Sequence, residues 1–572
     1  MRALALLSLI ACLGLTPAPL LAQEESAPAS TSDPVPEDDK TYLEELIQDS
    51  LSGAGREVRV TGFRGALSSN ATLQELTISD EEGVWLTLRD ASLLWSRSAL
   101  LSGRLSVQEL TAEELIIARP PISEGGVTTQ DAEATDFALP DLPVSVEIGQ
   151  VRIDKITLEK PVIGEPAQLS ASGSLSLTEG EGTAELEIRR LDRNDKFDFA
   201  ASFQQESRVL ALELAIDEAE GGLVSKLLKI PGQPEIQLSV NGEAPISDYE
   251  ARVTLATDGT PRVSGAIGIA ALDPDAEGAA ADHQFTALLQ GDMRPLFAPE
   301  FHAFFGETAK LDIAGIKHAD KRLTLDRLMI DAAAVQLDGN LRLDAEGWPQ
   351  SFALTGRLGN PGDTPEAVRL PGSGPVTTLQ RATLTADFDA ARGEDWRAAV
   401  TLKGLDRPDL SLADAEITGT GKITRDGNLE QVTADLALAL SGLALSDPAL
   451  AQAAGDSLSG TAALTWQPKL PVTVTDFDLR AGDVAVTGRG SIDGLASGYP
   501  VAGHARFVAP DFSRFAALAD RPLTGRLEAE LAASAKLLGG VFDIALVANT
   551  DGLGSGDDRA DPLIAPPSRV LV

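Results

Sequence analysis

The sequence predicts a mainly β protein, elongated and solenoid-like, with a few short capping helices. Three observations carry that reading. Beyond Arg56, apolar and polar residues alternate over most of the chain, as at Val58 and Val60, Leu76 and Ile78, or Leu105 and Val107. A period of two marks a strand with one dry face. Of the residues, 43% are hydrophobic but only 4% aromatic, which suits stacked strands better than a globular interior around a shaped active site. Finally, one strand design recurs. Leu169, Leu175 and Leu177 flank Gly173; Val335, Leu337, Leu341 and Leu343 flank Gly339; Val484, Val486 and Ile492 flank Gly488. In each copy the apolar residues and the central glycine share parity, so they line one face, and the glycine leaves a gap or permits a bend. The glycines lie 166 and 149 residues apart, so no tight period is present, and the pattern alone also fits an ordinary antiparallel protein.

The elements follow in order. Arg2, the apolar run Ala3–Leu15 and the small-residue exit near Ala22 read as a secretory signal over residues 1–22. Extended through Leu21, the run nears the ~20 residues of a membrane span, so an uncleaved anchor remains open. Leu9–Cys12 matches a lipoprotein box by letters but would leave an unusually short signal. Cys12 is the only cysteine, so cleavage after Ala22 would leave no disulfide and no thiolate metal site.

Residues 23–40 lack periodicity and read as a disordered tether. Leu43, Leu46, Ile47 and Leu51 then share one helical face, ended by Gly53 and Gly55, which predicts a capping helix. Its polar face is acidic, which disfavours a membrane-surface role. Strands fill the rest of 41–121, residues 122–143 form a loop, and 144–572 form a repetitive β body. Short helical pieces interrupt the strands at Leu223–Leu228, Arg294–Phe305, Pro448–Ala454 and Phe512–Leu518.

Chemistry is sparse. His283, His302, His318 and His504 show no metal-ligand spacing, and no nucleophile elbow, phosphate loop or dinucleotide fingerprint occurs. His302 sits among Phe301, Phe304 and Phe305 and reads as a packed histidine. The acidic runs Glu37–Asp39, Asp80–Glu82 and Asp557–Asp558 fall in turns and read as solvated, whereas catalytic carboxylates need burial. Gly552–Asp558 reads as a loop, too small to supply a calcium shell. Arg56, Arg59 and Arg64 read as exposed edge positions, with phosphate contact as the alternative. With 47 basic against 86 acidic residues, the net charge is −39. That charge repels phosphate backbones, so no nucleic-acid partner is expected; without a catalytic motif, cofactor loop or metal cluster, no enzyme and no cofactor is expected either.

Gly62–Leu67 (Gly-Phe-Arg-Gly-Ala-Leu) and Trp95-Ser96-Arg97 carry a resemblance to the amino-terminal region of TamB proteins, strongest over 41–121 and continuing weakly as β repeats. TamB proteins sit with AsmA-like and bridge-like lipid-transfer proteins. The resemblance implies a long, curved antiparallel sheet with an apolar groove, often called a β-taco. It also implies anchoring in the inner membrane with the body in the periplasm of a Gram-negative bacterium. Phospholipid acyl chains would be the cargo, moving between inner and outer membranes. Support of outer-membrane protein assembly and autotransporter secretion, with a TamA-like barrel as partner, is implied as well. Leu169, Leu175, Leu177, Val335, Leu337, Leu341, Leu343, Val484, Val486 and Ile492 would line the groove. Proteins resembling TamB are typically about twice as long, so the resemblance implies a chain truncated before the family's carboxy-terminal domain. Two other readings stand beside it: a structural or secreted β-solenoid with a filled core, and a carbohydrate-active enzyme, which would need buried carboxylates that the sequence does not show.

Overall fold

The computed structural model describes residues 57–571 except 66–68, 101–103, 122–144, 179, 273–280, 363–365, 373, 428, 494–499, 537–540, 558, 560, 565 and 566. The expected signal, tether and capping helix, and the loop at 122–143, lie outside the described residues. The mainly β fold class is borne out. The chain divides into two compact units, Met1–Arg262 and Val263–Val572.

In the first unit the strands are β1 (Glu57–Thr61), β2 (Asn70–Asp80), β3 (Gly83–Ser96), β4 (Arg104–Ile117), β5 (Ser145–Leu158) and β6 (Ala167–Thr178). Then come β7 (Glu181–Arg190), β8 (Lys196–Gln204), β9 (Val209–Glu218), β10 (Ile236–Pro245) and β11 (Asp248–Thr257). Each pairs with its predecessor, antiparallel throughout with one exception. β4 and β5 run parallel, Leu105 beside Val146 through Ile117 beside Leu158. Apart from this one pair the sheet is antiparallel, as expected. A parallel pair needs a crossover of a dozen or more residues, which a hairpin turn cannot supply; the long link between Ile117 and Ser145 can.

Most of β12 (Thr260–Ala271) lies in the second unit, which continues with β13 (His283–Gly291), β14 (Ala309–Lys317), β15 (Leu323–Ala332), β16 (Val335–Leu343) and β17 (Pro349–Leu358). β18 (Val368–Arg369), β19 (Thr378–Asp389), β20 (Asp395–Asp406), β21 (Leu410–Asp426), β22 (Leu429–Ser441) and β23 (Ala444–Leu445) follow. The last are β24 (Ser457–Trp466), β25 (Val472–Ala481), β26 (Val484–Ile492), β27 (Pro500–Ala509), β28 (Thr524–Lys536), β29 (Val541–Gly554) and β30 (Ser568–Leu571). The described pairs here are all antiparallel. The two-residue strands β18 and β23 pair beside the main succession, so β17 joins β19 and β22 joins β24 directly.

The helical pieces lie in the links. Leu223–Leu227 and Pro448–Ala454 are α-helices near their expected positions. Asp447 caps the second: its carboxylate accepts from the N–H of Ala449 and Leu450 at 2.8 and 3.1 Å, with Pro448 in the first turn. Gly455 ends it at φ 75°, a conformation costly for other residues. The expected helix Arg294–Phe305 is broken instead into 3-10 turns at Arg294–Leu296 and Pro299–Phe301 and a single α turn, His302–Phe305. Pro295 and Pro299 explain the breaks, since each removes a backbone donor. Phe512–Phe515 is likewise 3-10 before the α turn Ala516–Ala519.

Two acidic motifs differ from expectation. Asp80 is not solvated: its side chain is 3% exposed and paired with Arg119, which also donates to Gly83 O at 2.8 Å. Gly552–Gly554 completes β29 and is not loop; the loop starts at Ser555, whose N–H donates to Asp561 Oδ1 at 2.6 Å.

Candidate functional site: an apolar face carried from strand to strand

Antiparallel register keeps cross-strand partners on the same face, so the pairings show how far an apolar face extends. In the first unit one row runs Ala71, Leu93, Leu110, Val151, Gly173, Leu186, Phe199, Leu214, Val240, Val253, with no polar side chain in it. The second unit holds a longer one. Ile267, Ala287, Ile313, Leu328, Gly339 and Leu354 lead to Ala386, Ala398, Gly419, Leu436 and Ala462. Phe477, Gly488, Ala505, Leu531 and Leu546 complete it. At ~4.8 Å per strand, that row spans on the order of 70 Å. A flanking row is equally apolar, from Ile330 and Leu337 through Gly356, Leu384, Val400, Ile417 and Leu438.

Most residues of these rows are half-buried, neither sealed nor fully open to water. Ile267 and Ile417 are 41% exposed. A filled sheet sandwich would bury such residues outright.

The opposite face is charged. Asp312 pairs with Arg327 at 3.2 Å, Asp387 with Arg397 at 3.1 Å, and Arg506 with Glu528. Such solvated pairs add little stability but keep that face wet. A concavity of about 690 Å³ in the first unit draws on both faces and includes Glu185, Glu213, Glu243, Glu250 and Arg252. Its carboxylates outnumber its cations, so it is a poor seat for a phosphate.

The two edges of the second unit's sheet differ. The links containing His302–Phe305, Pro448–Ala454 and Phe512–Phe515 all join strand ends on one edge. There Phe304, Ala334 and Val368 are buried, with Phe305, Leu358 and Leu370 against them. At this edge His302 Nε2 lies 3.2 Å from Phe297 O, the packed role expected of it. The described links on the other edge are short turns, such as Asp344–Trp348 and Gln467–Pro471. In the first unit Lys160–Ile163 and Leu223–Leu227 cap one edge: Val162, Ile163 and Leu223 pack on Ile117, Ile156, Leu158, Ala167 and Ala171. Beside them Glu165 accepts from Lys226 at 2.6 Å and lies near Arg190, and these cations hold its carboxyl below the ordinary range.

The recurring glycines mark close approach. A Cβ on Gly173 would come within 2.3 Å of Glu185 O, and one on Gly488 within 2.3 Å of His504 O. On Gly339 it would meet Leu354 Cδ2 at 2.4 Å. At β21 the gap is filled: the Trp396 indole lies over Gly419 and Gly421, which sequence reasoning missed because the partners sit on neighbouring strands.

Each residue expected to line a groove lies on these apolar faces. Leu169, Leu175 and Leu177 oppose Arg190, Ala184 and Gly182 in the first unit. Val335, Leu337, Leu341 and Leu343 oppose Leu358, Gly356, Phe352 and Pro349 in the second. Val484 is buried, Val486 opposes Phe507, and Ile492 opposes Val501 with 38% exposure. The β16 and β26 residues belong to one face; those of β6 belong to the other unit. Among the described residues no group of His, Cys, Asp or Glu is placed to hold a metal, and no helix is long and apolar enough to cross a membrane. His318 pairs with Asp282 at 2.6 Å and lies 3.0 Å from Thr324 Oγ1.

Open antiparallel sheets with one long, half-exposed apolar face and one charged face define the class of AsmA-like, bridge-like proteins. More narrowly, the chain belongs to the YdbH-like family: the family model described as intermembrane phospholipid transport protein YdbH matches residues 40–563. No curated protein and no solved structure matches the chain. The TamB resemblance of the amino-terminal words thus resolves into membership of a phospholipid-transport family.

Proposed function

We propose that this protein carries phospholipids between the inner and outer membranes, their acyl chains lying on the apolar rows. The observation that carries this reading is the half-exposed apolar face, continuous from strand to strand within each unit. Each buried CH₂ stabilises a bound chain by about 0.8 kcal/mol. Because the rows repeat Leu, Ile, Val, Ala, Gly and Phe without a polar step, an acyl chain meets similar surroundings at each strand. No residue acts chemically.

Inner-membrane anchoring rests on the apolar run that follows Arg2. The TamA-like barrel, outer-membrane protein assembly and autotransporter secretion rest on the amino-terminal resemblance alone; copurification with a barrel protein tests them. The filled, dry solenoid is disfavoured by the exposure of Ile267 and Ile417. A photo-crosslinking amino acid at Leu337 tests the main reading. A phospholipid adduct is expected there and not at Glu416, on the opposite face; no adduct at Leu337 overturns the proposal.

A further inference from the structure

The short-turn edge of the second unit is closed at one place. The indoles of Trp348, in the β16–β17 turn, and Trp466, at the end of β24, stack with centroids 6.2 Å apart and planes 9° from parallel. In order of pairing, β19, β20, β21 and β22 stand between β17 and β24. Five strand spacings on a flat sheet amount to about 24 Å. The contact therefore requires this part of the sheet to curl towards its apolar side.

Arg425 of β21 ties the same turn. It pairs with Asp344, with Glu346 at 3.1 Å and with Glu430 of its own hairpin at 3.0 Å. Asp344 is pre-set for this by accepting the N–H groups of Trp348 and Glu346 at 2.8 and 3.1 Å. Beneath lie Phe388 and Ile423, both buried on the apolar face.

We propose that Trp348, Trp466 and Arg425 form a clasp across the mouth of the groove, which must open for each lipid that passes. The inference rests on the transport reading above. Acyl chains can travel on the apolar rows, but a phosphate headgroup needs water and must project past an edge. The helix-bearing edge carries the buried apolar cluster of Phe304, Ala334 and Val368, with Phe305 against it, which offers a headgroup no water. The short-turn edge is left, and the clasp lies across it. Trp348 stays seated on Phe388 and Ile423 at 7% exposure, and the movable half suits repeated opening: Trp466 is 40% exposed, and the Arg425 side chain, 32% exposed, has ion pairs that water can replace.

The test locks the clasp reversibly. In the full chain carrying Cys12→Ser, Glu346→Cys and Arg425→Cys are joined by a bismaleimide with a reducible linker. Transfer of a fluorescent phospholipid from donor to acceptor vesicles is then measured. At least a tenfold fall on linking, restored by reduction, is expected, and the restoration shows that the variant is folded. Transfer at an unchanged rate in the linked protein overturns the clasp and leaves the transport reading standing. Absence of bound and transferred lipid in the unsubstituted chain as well overturns the transport reading, and the clasp with it.

Discussion

Trp396 donates its Nε1–H to the backbone oxygen of Thr433 at 2.8 Å, reaching from β20 across β21 to β22. The reach is possible because β21 carries Gly419 and Gly421 beneath the ring. A Cβ on Gly421 would lie 1.9 Å from Thr433 O and 2.9 Å from the indole nitrogen. Trp396→Phe should cost about 1 kcal/mol, the net worth of one hydrogen bond. Gly421→Ala should cost more, about 1–3 kcal/mol, because the backbone must move. Denaturant unfolding of both variants checks the order; a harmless Gly421→Ala would refute the packing described.

Ile417 offers a way to separate lipid binding from folding. Being 41% exposed, it should accept arginine at a stability cost of about 1 kcal/mol or less. Hydrocarbon will not accept that charge, at about 2.5–3.5 kcal/mol. Ile417→Arg should therefore lower copurified phospholipid at least roughly tenfold, while Glu416→Arg on the opposite face leaves it unchanged. Lipid extraction and mass spectrometry of the two purified variants decide the matter.

Glu218 holds a helix start in the first unit. Its residue is 4% exposed, and its carboxylate accepts from Val224 N and Ser225 N at 2.7 and 3.0 Å. Glu218→Ala leaves two donors at the first turn of Leu223–Leu227 without their acceptor and should cost about 1–2 kcal/mol. Glu218→Gln, which keeps one acceptor oxygen, should cost less. Thermal unfolding of the two variants tests the ranking.

Acid should loosen the capped edge of the same unit. Lys226, hydrogen-bonded to Glu165, and Arg190 hold the Glu165 carboxyl below its ordinary range. The Arg190 hydrogen bond does the same to Asp192. A carboxylate whose folded pKa is depressed stabilises the fold above its unfolded value and loses that contribution as pH falls through the folded one. Stability should thus decline below about pH 4.5, near the ordinary glutamate value. Because these groups are partly solvated, Glu165 accounts for only about 0.5 kcal/mol. Glu165→Gln should flatten that decline in unfolding measured from about pH 3 to about pH 6, which brackets that point.

Strand content was legible wherever one face stays dry, because period-two alternation reports it directly. The stretches read around Gly339 and Gly488 coincide with β16 and β26, and that around Gly173 lies within β6. What stayed hidden depends on partners distant in sequence. Nothing local in Leu105–Ile117 announces a parallel neighbour, since its alternation serves either direction. Trp348 and Trp466 each look like strand-end aromatics until curling joins them. Asp80 looked solvated because its partner, Arg119, stands beyond two further strands. The broken helix at Arg294 was readable from Pro295 and Pro299, which the apolar pattern of that segment obscured.

The succession of pairings also sets how the chain can form. Almost every strand adds to the one made just before it, so a chain that emerges gradually during synthesis can zip into place as it appears, with short loops to close. The parallel junction of β4 and β5 breaks that rhythm. β5 cannot join until the whole crossover has emerged, and until then β4 presents an open edge ready to take any passing strand. The wait at that edge is longer than at a hairpin by the time the crossover takes to be made. A chaperone acting on this chain has most to gain by guarding that one edge.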